Sequence, residues 1–130
     1  MKTGIVFGAF DLLHLGHIHL LHKCREQCDC LVVGLHVDPS IERTEKNKPI
    51  ETVYERFMKL RELDIVDKIV PYETEEDLKN ILRSGNIDVR FLGTDYRQEK
   101  KKITEEELVP IVYIDSLPVH TSTIRERIIK

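Results

Sequence analysis

Two histidines near the amino terminus have the spacing and the surroundings of a phosphate-binding site. His14 and His17 follow the apolar run 5–7 and precede a stretch in which apolar residues recur at helical spacing. If the first turn is helical, the three-residue separation puts both imidazoles on one side of it. Free N–H groups and the positive end of the helix dipole favour an anion there, and Gly16 lets the backbone approach it closely. The pattern therefore predicts a nucleoside triphosphate site, the alternative being that the histidines only cap and pack a helix.

Length and charge restrict the class of protein. With 130 residues, 41% of them apolar, residues 1–130 are expected to form one domain with a single core. The net charge of −3 gives no reason to expect nucleic acid or an acidic membrane as a partner. No apolar run approaches the roughly 20 residues that cross a bilayer, and the chain starts with a strand rather than a signal sequence, so a cytoplasmic location is expected.

Three cysteines lie close together and could be taken for a metal site together with His22. Cys24 and Cys28 are predicted one turn apart on the apolar face of the first helix, whereas Cys30 begins the next strand. That arrangement does not suit one tetrahedral zinc centre. We therefore favour small buried apolar side chains in a reducing compartment.

Strand and helix patterns alternate along the whole chain. Apolar runs predict strands within 5–7, 30–35, 64–71, 89–92 and 110–114. Helices are predicted after residue 14, at the capping box that starts at Thr52, after Thr74, near 104 and near 121. The alternation predicts an α/β, Rossmann-like doubly wound sheet of about five parallel strands with helices on both faces. The fourth strand should lie beside the first, so that the loop 93–96 faces the two histidines.

The stretch 8–17, GAFDLLHLGH, resembles the G-x-F-D-x-x-H-x-G-H signature of the nucleotidyltransferase superfamily. It is most similar to the small cytidylyltransferases typified by glycerol-3-phosphate cytidylyltransferase. The resemblance implies transfer of CMP from CTP to a small polyol, amino-alcohol or sugar phosphate with release of pyrophosphate, in a homodimer. His14 and His17 would be catalytic. The implied nucleotide-binding residues of this stretch are Gly8, Ala9, Phe10, Asp11 and Gly16.

Basic residues farther along the chain extend this resemblance. Related enzymes hold the triphosphate with lysines in the polar segment 36–50, which here implicates Lys46 and Lys48, although the segment could equally be a solvated connector. Arg56 ends a Tyr-Glu-Arg segment similar to one whose arginine reaches the active site, where it would contact acceptor or nucleotide. Its alternative is a surface charge paired with Glu55 or Glu62.

Two late segments match the family only partly. Asp95 is retained in a loop similar to G-D-D-W and is favoured as an acceptor or nucleotide contact over a role in the turn, with Thr94 replacing the first acid. Thr121 and Ser122 match the end of R-T-E-G-I-S-T-S, whose hydroxyls hold the outer phosphates. The preceding positions 115–120 differ and lack the arginine, which predicts a changed acceptor. The basic run 97–102 is interpreted as a solvated loop, with a phosphate-covering flap as the alternative.

The chemistry implied by the resemblance requires no general base. A phosphate monoester has its second pKa near ~6 and is largely a dianion at neutral pH, so catalysis needs alignment and charge stabilisation. Mg²⁺ is expected to accompany the triphosphate, because the sequence has no dedicated carboxylate cage; Asp11 would fix the turn or hold a metal-bound water. Two alternatives remain: an ATP-dependent adenylyltransferase acting on a phosphorylated sugar or vitamin precursor, and a non-catalytic nucleotide-binding regulator.

Overall fold

A computed structural model describes residues 1–93 and 108–115. The strands are β1 (Thr3–Gly8), β2 (Cys30–His36), β3 (Lys68–Tyr72), β4 (Val89–Gly93) and β5 (Ile111–Ile114), and the helices are α1 (Leu15–Arg25), α2 (Val53–Arg61) and α3 (Glu75–Ser84). All five predicted strands form. The helices predicted near 104 and 121 lie outside the described residues.

The strands form one parallel sheet in the order β3-β2-β1-β4-β5, which confirms the predicted Rossmann-like fold. β1 lies in the centre, with Gly8 opposite Leu35 of β2 and Val6 opposite Phe91 of β4. The chain turns outward in opposite directions from β1, first to β2 and later to β4. The carboxyl end of β1 therefore lies at the topological switch point, where ligands of α/β sheets bind.

Each face of the sheet has its own apolar core. On one face, Leu21 of α1 and Leu60 of α2 pack with Val6 and Phe91. On the other, Leu78 and Leu82 of α3 pack with Ile5 and Val32. Because both faces are covered, the strands are nearly continuous apolar runs rather than alternating ones. The helices on the two faces of the sheet therefore bring different side chains to its carboxyl edge.

Within the described residues the predicted helix starts are correct, and one predicted helix end is wrong. Thr52 and Thr74 each accept a hydrogen bond from the N–H three residues later, within complete capping boxes, and Gly85 ends α3. In contrast, α1 ends at Arg25, so Cys28 lies beyond the helix and bonds through its Sγ to the Cys24 carbonyl. Cys24 is fully buried and all three cysteines are free thiols. Across the described parts of the chain no three metal-ligating side chains come together.

None of the helices in the described ranges is long and apolar enough to cross a membrane.

A close contact between β1 and β2 generates a stability prediction. The Phe7 ring lies across Gly34, where an added Cβ would come within 2.2 Å of Phe7 Cδ1. We expect Gly34→Ala to lower the free energy of unfolding by about 1–3 kcal/mol, because the ring must move within a packed sheet. Urea unfolding measures the loss. The double variant Phe7→Leu, Gly34→Ala should lose less than the sum of the two single variants, and strict additivity would contradict this explanation.

Candidate active site

The two histidines form a reciprocal capping box at the start of α1. His14 is the N-cap residue, and its Nδ1 accepts a hydrogen bond from the Gly16 N–H at 3.0 Å. His17 reaches back, and its Nδ1 accepts from the His14 N–H at 3.2 Å. The rings stack with centroids 4.0 Å apart. The alternative in which the histidines cap the helix is therefore correct for the two Nδ1 atoms. It does not conflict with a ligand role for the opposite edge of each ring.

The capping bonds determine which ring nitrogen carries the proton. Because each Nδ1 faces an N–H donor, a neutral ring must carry its proton on Nε2. Burial, with a smaller effect of the neighbouring His14, lowers the pKa of His17 to about 4, while Asp11 opposes the shift. His17 is thus neutral at pH 7 and presents Nε2–H as a donor. Phe10 packs against the same ring, with centroids 5.4 Å apart.

The turn that joins β1 to α1 has an unusual backbone. Phe10 and Leu12 adopt left-handed conformations, with φ of 50° and 49°, which non-glycine residues rarely adopt. Asp11 stabilises the turn between them: its carboxylate accepts from the N–H groups of Ile50 and Glu51 at 2.9 and 3.0 Å. Its contacts are those of a turn-fixing residue.

Glu51 ties the same turn to α2 from the other direction. Its carboxylate accepts from the Leu12 N–H at 2.8 Å and forms an ion pair with Lys59 at 2.5 Å. The carboxylates of Asp11 and Glu51 therefore each accept backbone N–H groups of the other residue's loop, so that hydrogen bonds join the two loops in both directions. The histidine turn cannot shift without breaking contacts with the start of α2.

Arg56 occupies the centre of this region and is 2% exposed. Its guanidinium donates to the carbonyls of Ala9 and His36 through Nη1 and to that of Val37 through Nη2, at 2.6–3.0 Å. Nε donates to the Glu51 carbonyl at 3.2 Å. The alternative of a surface charge is wrong, because the side chain is buried. The predicted contact with acceptor or nucleotide stays a prediction, and the contacts seen are with backbone carbonyls.

The loop lysines point to two separate clefts. Lys46 lines a cleft together with Gly8, Ala9 and His36. Lys48 lines another with Asp38 and Arg56. Sequence similarity implicated both lysines in triphosphate binding, but in the structure they line different clefts. Both clefts open at the carboxyl edge of the sheet.

Several predicted positions lie outside the described residues. They are Asp95, Thr121, Ser122 and the basic run 97–102. The strand that precedes them, β4, ends at Gly93 and pairs with β1, as predicted. Their roles stay predictions.

Arg90 is a residue of this edge that sequence reasoning missed. It lies in β4, is 2% exposed and lines the cleft that contains Lys46. Its guanidinium carbon is 5.0 Å from the centre of the Phe7 ring, a cation–π geometry. The sequence contains one feature that could have identified it, a charged residue inside the apolar run 89–92. Arginine is rarely fully buried unless it is paired or bound.

The pKa of His17 predicts how stability depends on pH. Between pH 6.5 and 4 the unfolded chain binds a proton that the folded chain does not, so the free energy of unfolding should fall as the pH is lowered through this range. Protonation linked to His17 should lower the free energy of unfolding by on the order of 3 kcal/mol in all, and none of this loss is present above about pH 7. Urea unfolding of the ligand-free protein should show this slope, and His17→Gln should lack it. Parallel curves for the two proteins would contradict the assignment.

Arg56 should matter for stability more than another arginine of its helix. Arg56→Met leaves four carbonyls without their donor, and we expect a loss of about 3–5 kcal/mol in the free energy of unfolding. Hydrogen exchange should speed up in the segments 9–12 and 48–52. Arg61→Met, in the exposed last turn of α2, is the matched control and should stay within about 0.5 kcal/mol. Equal losses would contradict the central position given to Arg56.

Comparison with known proteins agrees with this geometry. The sequence model of the cytidylyltransferase-like family matches residues 5–127. A bifunctional protein HldE from Helicobacter hepaticus is 38% identical over 131 residues, covering 98% of this chain but 27% of the relative. The chain thus spans about a quarter of the length of that relative. An FAD synthase from Thermococcus sibiricus is 34% identical over 132 residues, covering 95% of this chain and 89% of the relative.

A solved structure leads to the same family. The lipopolysaccharide core biosynthesis protein from Thermoplasma volcanium superimposes with a TM-score of 0.74 at 30% identity, covering 90% of this chain and 98% of that one. The predicted superfamily is confirmed at this level. The chain belongs to the cytidylyltransferase-like family of the nucleotidyltransferase superfamily.

Proposed function

We propose that this chain transfers a nucleoside monophosphate from a nucleoside triphosphate to a small phosphomonoester and releases pyrophosphate. The observation that carries the proposal is the reciprocal capping of His14 and His17, which leaves an Nε2–H donor on each neutral ring. Two fixed donors at the positive end of α1 suit an α-phosphate, on which negative charge accumulates in the transition state.

The proposed reaction balances without a general base. An oxygen of the acceptor phosphate dianion attacks the α-phosphorus, a new phosphoanhydride bond forms, and the bond to the β-phosphate oxygen breaks with pyrophosphate as leaving group. His14 and His17 donate hydrogen bonds to the α-phosphate oxygens. Lys48, Thr121 and Ser122 are proposed contacts of the outer phosphates. Mg²⁺ would enter on the triphosphate, because the Asp11 carboxylate already accepts two backbone N–H groups and the described residues form no metal cage.

ATP is the proposed nucleotide, and CTP is the alternative. FAD synthase, 34% identical over nearly its whole length, makes a product that contains an adenylyl group, which supports ATP. The resemblance of the stretch 8–17 to small cytidylyltransferases supports CTP. A cytoplasmic location and a homodimer, both expected from the sequence, remain proposals.

Pyrophosphate release tests the reaction and the nucleotide together. ATP and CTP are each incubated with Mg²⁺ and a panel of polyol, sugar and vitamin phosphates. We expect release that depends on one acceptor class and is faster with ATP. The nucleotide that is used should also raise the Tm of the protein. Nucleotide binding without release from any acceptor would reject the proposal in favour of a nucleotide-binding regulator.

His17→Asn separates the capping bond from the proposed donor. The asparagine amide oxygen occupies a place near Nδ1 and preserves the cap, whereas nothing replaces Nε2–H. We expect kcat to fall by roughly 10²–10³-fold, with the free energy of unfolding at pH 7 changed by less than about 1 kcal/mol. His22→Ala, exposed on the same helix, is the control and should keep full activity. Near-normal turnover of His17→Asn would overturn the catalytic assignment.

A further inference from the structure

Glu51, in the loop before α2, uses each of its polar groups to join two loops at the carboxyl edge of the sheet. Its N–H donates to the Asp11 carboxylate at 3.0 Å, and its carbonyl accepts from Nε of Arg56 at 3.2 Å. One carboxylate oxygen accepts from the Leu12 N–H at 2.8 Å, and the other pairs with the Lys59 ammonium at 2.5 Å. The Glu51 side chain is 9% exposed. A nearly buried carboxylate therefore connects α2 with the β1–α1 turn, residues 9–14.

The bond to Leu12 restrains a rare backbone conformation. Leu12 has a φ of 49°, in the left-handed region that residues with a Cβ seldom adopt. Glu51 binds the N–H of the peptide group that enters this residue, and the bond is partly buried. Without the carboxylate that N–H would lose its acceptor, and an unrestrained leucine favours a right-handed or extended conformation. The shape of the turn at Leu12 therefore depends on Glu51.

The conformation of Leu12 determines where the histidine cap is built. Only Leu13, which packs against the core on the α1 face, separates Leu12 from His14. The His14 N–H donates to Nδ1 of His17 at 3.2 Å, and Nδ1 of His14 accepts from the Gly16 N–H at 3.0 Å. A change of backbone at Leu12 would turn the His14 peptide and disturb both bonds. The direction of the two Nε2 edges would change with them.

The charges around Glu51 are balanced within the same region. The carboxylates of Asp11 and Glu51 lie close to the Arg56 guanidinium: burial lowers the pKa of Arg56, and the two negative charges oppose that shift. Lys59 supplies the second positive charge. Its side chain is half exposed, so solvent weakens its attraction to Glu51. The bond to the Leu12 N–H, rather than the ion pair, is the contact through which the Glu51 carboxylate acts on the turn.

We propose that Glu51 is a positioning residue for His14 and His17, and that it acts through the N–H of Leu12. The inference rests on the proposed function and deepens it. In this role Glu51 transfers no proton and touches no substrate. It holds the two ring donors in the orientation that suits the α-phosphate, and a misplacement of about 1 Å in such a group can cost about 10²-fold in rate.

Steady-state kinetics test this role. Glu51→Ala should lower kcat by about 10- to 100-fold and leave the KM for the nucleotide within about threefold, because the misaligned donors act on the transition state. Glu51→Gln retains an oxygen that can accept the Leu12 N–H, and its kcat should stay within about fivefold of the wild type. Glu76→Ala breaks an exposed ion pair with Arg83 on α3; it is the control and should change neither constant.

Lys59→Met separates the ion pair from the hydrogen bond. This variant removes the counterion of Glu51 and leaves the bond to Leu12 in place, so its kcat should fall by no more than about threefold. A fall as large as that of Glu51→Ala would assign the effect to the ion pair, and the inference would be overturned.

NMR of the ligand-free protein gives a readout that needs no turnover. The wild-type His17 ring is neutral at pH 7 and carries its proton on Nε2. Ring-nitrogen shifts should show this single form in the wild type and in Glu51→Gln, whereas Glu51→Ala should show both neutral tautomers. The Leu12 amide should exchange at least about tenfold faster in Glu51→Ala. A lower Tm of Glu51→Ala with wild-type ring signals and wild-type kcat would mean that Glu51 only stabilises the fold, which contradicts the inference.

The outcomes distinguish the two proposals. If the wild type releases no pyrophosphate with any acceptor, the proposed function is overturned, and the ring signals still decide whether Glu51 orients the histidines. If the wild type is active and Glu51→Ala keeps kcat within about twofold, the positioning role is overturned while the reaction stands. Should Glu51→Ala fail to fold, Glu51→Asp replaces it with the same expected fall in kcat, because the shorter side chain keeps the charge but withdraws the acceptor from Leu12.

Discussion

One buried guanidinium links the segments that make up the carboxyl edge of this sheet. Arg56 donates to carbonyls of the β1–α1 turn, the end of β2 and the loop before α2. Strand ends leave carbonyls without ladder partners, and burying them unpaired is costly. A planar fork of five N–H groups can satisfy the four carbonyls that Arg56 binds, whereas an ammonium has only three N–H donors. The positions of the neighbouring loops therefore depend on the position of α2.

This constraint explains how the histidine turn keeps a strained shape. Two left-handed residues, Phe10 and Leu12, flank Asp11, whose carboxylate binds the loop before α2 while Glu51 binds back to Leu12. Backbone strain of this kind persists only where surrounding contacts determine the conformation. The result is that both imidazoles are held by their Nδ1 atoms at a fixed orientation. Such a site is organised before a ligand arrives, which suits the proposed stabilisation of charge on a phosphate.

The doubly wound topology separates the chemistry onto two faces. Helix α1 brings neutral histidine donors to one side of the end of β1, and the α3 side presents Arg90, Lys46 and His36. The two sides therefore differ in the polar groups that they present at the end of β1. The strand order β2-β1-β4 is what creates the gap between them.

The amino-acid sequence by itself determined the strands, the capping boxes at Thr52 and Thr74, the two neighbours of β1 and the identity of the histidine motif, because periodicity, cap chemistry and connection handedness follow from short stretches of chain. It predicted an acceptor or nucleotide contact for Arg56, with a surface ion pair as the alternative, and it grouped Lys46 with Lys48. Only the tertiary structure decided that Arg56 binds four carbonyls, that the two lysines face different clefts and that Arg90 joins one of them. Three of the four Arg56 contacts join residues 19 to 47 positions apart, and no local pattern encodes the direction in which a long cationic side chain leaves its element.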